Sequence, residues 1–175
     1  MAGTSGTPLP KKLGIRHGHS VVLLNAPAGF ERSLHVADTV RVSHQLRFAP
    51  ADVVVIFVDS IQDLERRFGD IAARLHPQGG VWVAWRHRSS RRITHEVIRR
   101  IGLACGMVDN KLCAIDAVWS GMRLVVRPSN RDAIAYRVVP AGATVAPRRA
   151  RRATSPGRYS GAGSAQTRVR ARRAR

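Results

Sequence analysis

The sequence predicts a three-layer α/β domain with a mostly parallel sheet, followed by a disordered basic tail. Two observations predict the domain. Residues 52–85 contain an apolar run (VVVIFV), an amphipathic segment (IQDLERRFGDIAARLHPQGG) and a second apolar run (VWVAW). Strand, helix and returning strand in that order make a βαβ unit, whose crossover is almost always right-handed. A second helical pattern and two further strand patterns then follow in the same alternation. The tail is predicted by the loss of apolar periodicity from residue 141 onward, where Ala, Arg, Gly, Ser and Pro dominate.

The elements can be justified in order. Residues 1–12 (MAGTSGTPLPKK) are small, polar and proline-containing, so a flexible arm is expected. Residues 19–24 (HSVVLL) form a first strand, and NAPAGF follows at once. A nucleotide-binding fold would cradle phosphate at that turn. Here the turn holds one glycine, Gly29, and Pro27 removes a backbone donor, so the GxGxxG pattern is not met. A tight strand-to-helix turn explains it as well. Residues 31–34 allow a short helix, and residues 39–46 (TVRVSHQL) alternate Val40 and Val42 with polar side chains as a half-wet strand does. No acidic residue ends that strand, which argues against a standard adenosine site.

Residues 53–58 are β-branched apart from Phe57, which suits a strand buried on both faces. Ser60 can cap the next helix, with Asp63 in its positive first turn. Ile61, Leu64, Phe68, Ile71 and Leu75 make one apolar stripe, while Asp63 with Arg67 and Asp70 with Arg74 form i,i+4 pairs on the wet side. Pro77 and Gly79-Gly80 are expected to stop this helix and turn the chain into a strand at 81–85. An arginine-rich loop, RHRSSRR (86–92), leads to a helix carrying Ile93, Val97, Ile98, Ile101 and Ala104, ended by Gly106. Asp109-Asn110-Lys111 reads as a turn held by Asp and Asn side chains. Residues 111–115 and 122–127 are strands joined by a six-residue turn, hence an antiparallel pair at one edge. Residues 133–139 could add a short strand. The division expected is an arm (1–12), a domain (13–127), a connector or edge strand (128–140) and a tail (141–175).

Composition sets outer bounds. Cys105 and Cys113 lie in apolar stretches without a CxxC, as reduced core thiols do, with a disulfide or metal pair as the alternative. There is no apolar leader, no run long enough for a membrane span and no glycine at position 2, so a cytoplasmic protein without membrane attachment is expected. The net charge is +19. Residues 128–175 hold twelve arginines against Asp132, giving 12 − 1 = +11, which leaves 18 − 10 = +8 for residues 1–127.

KKLGI, NAPAGF, LHPQGGVWVAW and GMVDNKLCAIDAVWSGMRLVVR resemble an uncharacterised family of small bacterial proteins. The resemblance spans roughly residues 11–127, and no activity of that family follows from it. A looser similarity links the order of strand, helix, PGG-like turn, strand, helix and antiparallel hairpin to the second half of class I methyltransferases. The resemblance implies a shortened, methyltransferase-like Rossmann-like domain. After Trp85 the sequence departs from the family, whose members continue with Pro and a Lys-containing loop where this chain has RHRSSRR.

Ligands of open α/β sheets bind beyond the carboxyl ends of the parallel strands. That rule gathers Asn25, Gly29, Asp59, Ser60, Trp85 and Arg86, and the hairpin turn should bring Asp116, Trp119 and Ser120 to the same edge. Two carboxylates, two indole faces and arginine could hold a planar or anionic ligand. Equally, Asp59 and Ser60 would cap a helix, Trp85 would be core and Asp116 would turn a hairpin. His17 and His19 lack a second ligand cluster, so no metal site is expected, and without GxSxG, HExxH or a Cys–His pair no catalytic nucleophile is visible. No cofactor is predicted, S-adenosylmethionine being the one candidate if the cleft is used.

Arginine on a disordered segment attracts phosphate backbones without reading sequence. The candidate contacts are Arg86, Arg88, Arg91 and Arg92 in the loop, with Arg148, Arg149, Arg151, Arg152, Arg168, Arg170, Arg172, Arg173 and Arg175 in the tail. Nucleic acid or an acidic protein is the partner this implies; a merely solubilising tail is the other reading. Arg151-Arg152-Ala153-Thr154 also resembles a basic-directed kinase site. Taken together, a non-catalytic Rossmann-like module with a polyanion-binding tail is expected, and a methyltransferase-like enzyme using Asn25, Asp59, Trp85 and Asp116 is the alternative.

Overall fold

The computed structural model describes residues 6–47, 50–87 and 93–137. The strands are β1 (Ser20–Leu24), β2 (Arg41–Ser43), β3 (Ala51–Phe57), β4 (Leu75–Arg86), β5 (Met107–Ala114) and β6 (Trp119–Val126), and they form one sheet in the order β2-β1-β3-β4-β6-β5. The first four run parallel, and β6 inserts antiparallel between β4 and β5. Helices α1 (Leu9–Leu13), α2 (Phe30–Leu34), α3 (Ile61–Ala73) and α4 (His95–Ala104) supply the outer layers. This is a Rossmann-like three-layer α/β sandwich with a mostly parallel sheet and a C-terminal antiparallel hairpin. Among the described residues no helix is long and apolar enough to cross a membrane.

Each face of the sheet has its own core. On one side Leu64, Phe68 and Ile71 of α3 and Ile98 and Ile101 of α4 cover Val54, Ile56, Val81, Val83 and Leu124. On the other, Leu13, Phe30 and Leu34 cover Val21, Leu23, Val53, Val55 and Trp82. Fully burying one such side chain contributes about 1.5–3 kcal/mol, so both layers are needed to hold strands that are apolar on both faces. Ser60 caps α3 by accepting from the Asp63 amide, and Thr94 caps α4 by accepting from the Val97 amide.

Four expectations are corrected. Residues 9–12 of the expected arm belong to α1, whose Leu13 is fully buried and whose carbonyl accepts from Trp82 Nε1 at 2.9 Å. PQGG does not turn the chain: α3 ends at Ala73, and β4 begins at Leu75 and runs through Pro77 and both glycines. The register shift between Ala51 and Val53 absorbs the excess residues there, and a Cβ on Gly79 would sit 2.7 Å from the Asp52 carbonyl, so the close strand approach requires glycine. Asp109-Asn110-Lys111 lies within β5 at another register shift, not in a turn. Residues 132–137 form a 3-10 helix, not a strand, and residues 138–139 lie outside the described part. As for the cysteines, Cys105 is exposed and Cys113 half-buried, both free.

Candidate functional site

The carboxyl edge of the parallel strands does gather the residues that topology selects. Asn25 follows β1 with φ +53° and donates from Nδ2 to the Phe57 carbonyl at 3.3 Å, while its Oδ1 accepts from Arg67 at 3.2 Å. This bridges the ends of β1 and β3, the point where the strand order reverses direction. Gly29, at φ +81°, starts α2, and only the tip of Arg32 lies within 4 Å of a Cβ placed there. Asp59 is 78 % exposed and pairs loosely with Arg86 at 3.8 Å.

Edge and turn meet as the antiparallel hairpin requires. Arg86 lies opposite Trp119, and Trp85 opposite Ser120. The Asp116 carboxylate accepts from the Val118 and Trp119 amides, which fixes the turn. His87 spans the gap: its amide donates to the Val118 carbonyl, and its ring lies 2.7 Å from Ser120 Oγ and 3.3 Å from the Asp116 carbonyl. A carbonyl can only accept, so in the neutral imidazole Nε2 carries the proton and Nδ1 accepts from Ser120. The sequence reading missed this Ser–His contact because the pair is separated by 33 residues. Its three bonds tie the hairpin turn to the end of β4, and the group beyond the imidazole is a backbone carbonyl where an activating pair would place a carboxylate.

The two indoles do not make a sandwich. Trp85 packs against the α3 and α4 side, whereas Trp119 lies in the opposite core. Consecutive positions on adjacent strands point to opposite faces, and Trp85 and Trp119 differ by one register step. Trp119 is buried edge-on against Phe57 at 4.8 Å, and Phe57 in turn against Phe30 at 4.7 Å. Arg86 lies over the remaining Trp119 face, 4.8 Å from the ring centroid. The protein's own side chains thus occupy the aromatic surface that a planar ligand would use. Ser60 is spent on the α3 cap. Arg88, Arg91, Arg92 and the arginines of residues 148–175 lie outside the described residues.

A second concentration of chemistry lies elsewhere. Toward the amino-terminal edge, a pocket of about 380 Å³ is lined by Lys11, Lys12, Arg16, Lys111, Arg123 and Arg131, with Asp52 as its one carboxylate among the described residues. The sequence does hint at it, because MRLVV (122–126) puts one cation, Arg123, among residues that otherwise belong to a core strand. Among the described residues no group of three or more His, Cys, Asp and Glu is placed to hold a metal ion.

Neither a protein-family model nor a curated protein matches the sequence. Solved structures do resemble the fold. The magnesium protoporphyrin IX methyltransferase of Synechocystis PCC 6803, with bound SAM, superposes with a TM-score of 0.46 at 7% identity, over 68% of this chain and 74% of that one. A SAM-dependent methyltransferase from Aquifex aeolicus gives 0.46 at 13% identity over 66% and 87% of the two chains. A methyltransferase-like protein from Thermoplasma acidophilum gives 0.44 at 11% identity over 73% and 77%.

Proposed function

We propose that this protein is a non-catalytic Rossmann-like module that binds polyanions, chiefly nucleic acid, through its arginine-rich C-terminal segment and the 86–92 loop. The observation that carries the reading is the charge distribution: +11 on residues 128–175, where the sequence has no core-forming pattern, beside a loop with four further arginines. Such a segment engages phosphates without reading bases, and Tyr159, its one aromatic beyond residue 140, offers little stacking. An acidic protein surface is the competing partner. The small bacterial family resembled by KKLGI, NAPAGF and VDNKLCAID belongs to the same proposal.

The enzymatic alternative has one observation in its favour, the convergence of Asn25, Asp59, Arg86 and Asp116 on the carboxyl edge. Against it, Asn25 bridges two strands, Asp116 holds a turn and Trp119 is covered by Arg86. Calorimetry with S-adenosylmethionine is expected to show no binding. Micromolar binding lost in Asp59→Ala would reverse the choice between the two readings.

The polyanion reading is tested by titrating salt into complexes with a random-sequence duplex. Two full-length proteins are compared, the native chain and one with the ten arginines of residues 141–175 replaced by serine. The native protein should bind at low salt and lose roughly tenfold or more by physiological ionic strength if several phosphates are engaged. The substituted protein should lose most binding with an unchanged melting temperature. Equal binding by the two proteins, or none by the native chain at low salt, would end the proposal.

A further inference from the structure

We propose that the pocket at the amino-terminal edge of the sheet, walled by α1 and the strands β4, β5 and β6, is a binding site for a phosphate-bearing anion of the diphosphate class, independent of the C-terminal arginines. Its volume, about 380 Å³, falls in the range of small-molecule sites, roughly 300–1,000 Å³. Six cationic side chains line it against one carboxylate, Asp52, whose Oδ2 already accepts from the Ser20 amide at 2.8 Å.

The strand register makes the excess charge hard to explain as an ordinary wet surface. Trp82, Arg123 and Lys111 lie side by side on β4, β6 and β5, so two cations are direct cross-strand neighbours on the face that also buries Leu13. Like charges in that relation destabilise a sheet. The Arg123 guanidinium lies against Gly80: a Cβ there would meet Nε at 2.7 Å and a terminal nitrogen at 2.8 Å. The Nε atoms of Arg123 and Arg131 are both buried without a hydrogen-bond partner among the described residues. Burial, then Arg131 and Arg16, pull the Arg123 pKa below its ordinary value. A buried, unpartnered guanidinium edge costs stability. A bound oxyanion would supply the missing charge, and guanidinium presents a planar fork that matches two phosphate oxygens.

Lysines complete the wall and are partly pre-positioned. Lys111 Nζ donates to the Lys12 carbonyl at 2.9 Å, and Lys12 Nζ to the Ala114 carbonyl at 3.2 Å, so each ammonium is held in place with further donors unspent. A multivalent anion suits such a site better than a single carboxylate, because one negative charge would leave most of the cluster uncompensated.

The test uses full-length protein, inorganic pyrophosphate and inorganic phosphate as probes, and calorimetry with thermal unfolding at constant ionic strength. Native protein should bind pyrophosphate more tightly than phosphate and melt at a higher temperature with either. Arg123→Met should lose about ten- to hundredfold in pyrophosphate affinity, the effect of removing hydrogen bonds to a charged group. Without anion it should fold and melt no lower than the native protein, because it removes a half-buried charge that lies among other cations. Gly80→Ala offers a second route, displacing the Arg123 guanidinium while every charge stays. The protein with serines for the ten C-terminal arginines should keep native pyrophosphate affinity. Should Arg123→Met weaken duplex binding as well as pyrophosphate binding, the phosphate is supplied by a nucleic-acid backbone; should it weaken pyrophosphate alone, by a small molecule. No binding by native protein, native affinity retained in both Arg123→Met and Gly80→Ala, or loss on neutralising the C-terminal arginines would each overturn the proposal.

Discussion

Trp82→Phe tests whether residues 9–13 belong to the folded domain. The indole is fully buried, its ring approaches Gly121 closely enough that a Cβ there would sit 3.1 Å from Cε3, and Nε1 donates to the Leu13 carbonyl across 69 residues. That bond fastens α1 to the centre of the sheet. Phenylalanine cannot donate, so a buried carbonyl is stranded at a cost of about 1–3 kcal/mol. The smaller ring forfeits one to two methylene equivalents of burial, about 0.8 kcal/mol each. The sum, about 2–5 kcal/mol, corresponds to a fall of roughly 10 °C in melting temperature for a domain of this size. Urea unfolding followed by far-ultraviolet circular dichroism measures the loss without relying on the altered fluorophore, and hydrogen exchange reads α1 directly. Amide protection at Lys12 and Ile15 should drop more than protection in β3, since their donors are satisfied by Pro8 and Pro10 carbonyls within the docked segment. A loss under about 1 kcal/mol, with α1 protection unchanged, would refute the docking argument.

Gly102→Ala should destabilise by about 1–2 kcal/mol, because a Cβ there collides with the fully buried Leu124 side chain and overpacking outweighs the better helix propensity of alanine; urea midpoints decide it. Asp109 lies below the usual carboxylate range chiefly through its hydrogen bonds to Arg99, so its contribution is present above about pH 4 and lost as pH falls further. Asp109→Asn should flatten the acid limb of the stability–pH curve slightly, since the pair is largely exposed and a contribution within about 1 kcal/mol is expected. Thiol labelling should separate the cysteines: exposed Cys105 should react at once, and Cys113 slowly, because burial raises its pKa against the opposing pull of Lys111 and Lys12.

The elements legible from sequence were those in which one local signal decides. Val53, Val54, Val55 and Ile56 announce a doubly buried strand, and the stripe of Leu64, Phe68 and Ile71 announces the helix packed on it. The errors fall where tertiary contact overrides local chemistry. PQGG looks like a turn because Pro and Gly break helices, yet here glycine serves the approach of β4 to the Asp52 carbonyl. Asp109 looks like a turn residue until Arg99, on the neighbouring helix, is seen to pair with both its oxygens. The carboxyl edge was legible because strand topology alone gathers Asn25, Asp59, Arg86 and Asp116. What could not be read was which side of the sheet Trp85 and Trp119 take, since that depends on a single step of register between β4 and β6.

The basic pocket was illegible for a related reason: it is assembled from α1, the start of β3, the bulged part of β4, and the middles of β5 and β6, no two of which adjoin in sequence except the hairpin. Its physics nevertheless differs from that of the C-terminal arginines, and the difference bears on how the two would act. Arginines on a polar segment cost the fold nothing and exchange one phosphate for another as counterions do. Arg123 does cost the fold: its Nε is buried without an acceptor among the described residues, it faces Lys111 across a strand pair, and its guanidinium takes the space a side chain at Gly80 would fill. A sheet position that holds a guanidinium with a buried, unpartnered Nε beside a pocket lined by other cations is one where local stability and the residue present disagree. Such disagreements concentrate where binding, not folding, sets the residue. The carboxyl edge shows the reverse, with Asn25, Asp116 and Trp119 each bonded or packed within the protein itself. On that contrast the amino-terminal pocket, away from the edge where open α/β sheets ordinarily bind, holds the two arginines, Arg123 and Arg131, whose buried Nε donors are unspent among the described residues.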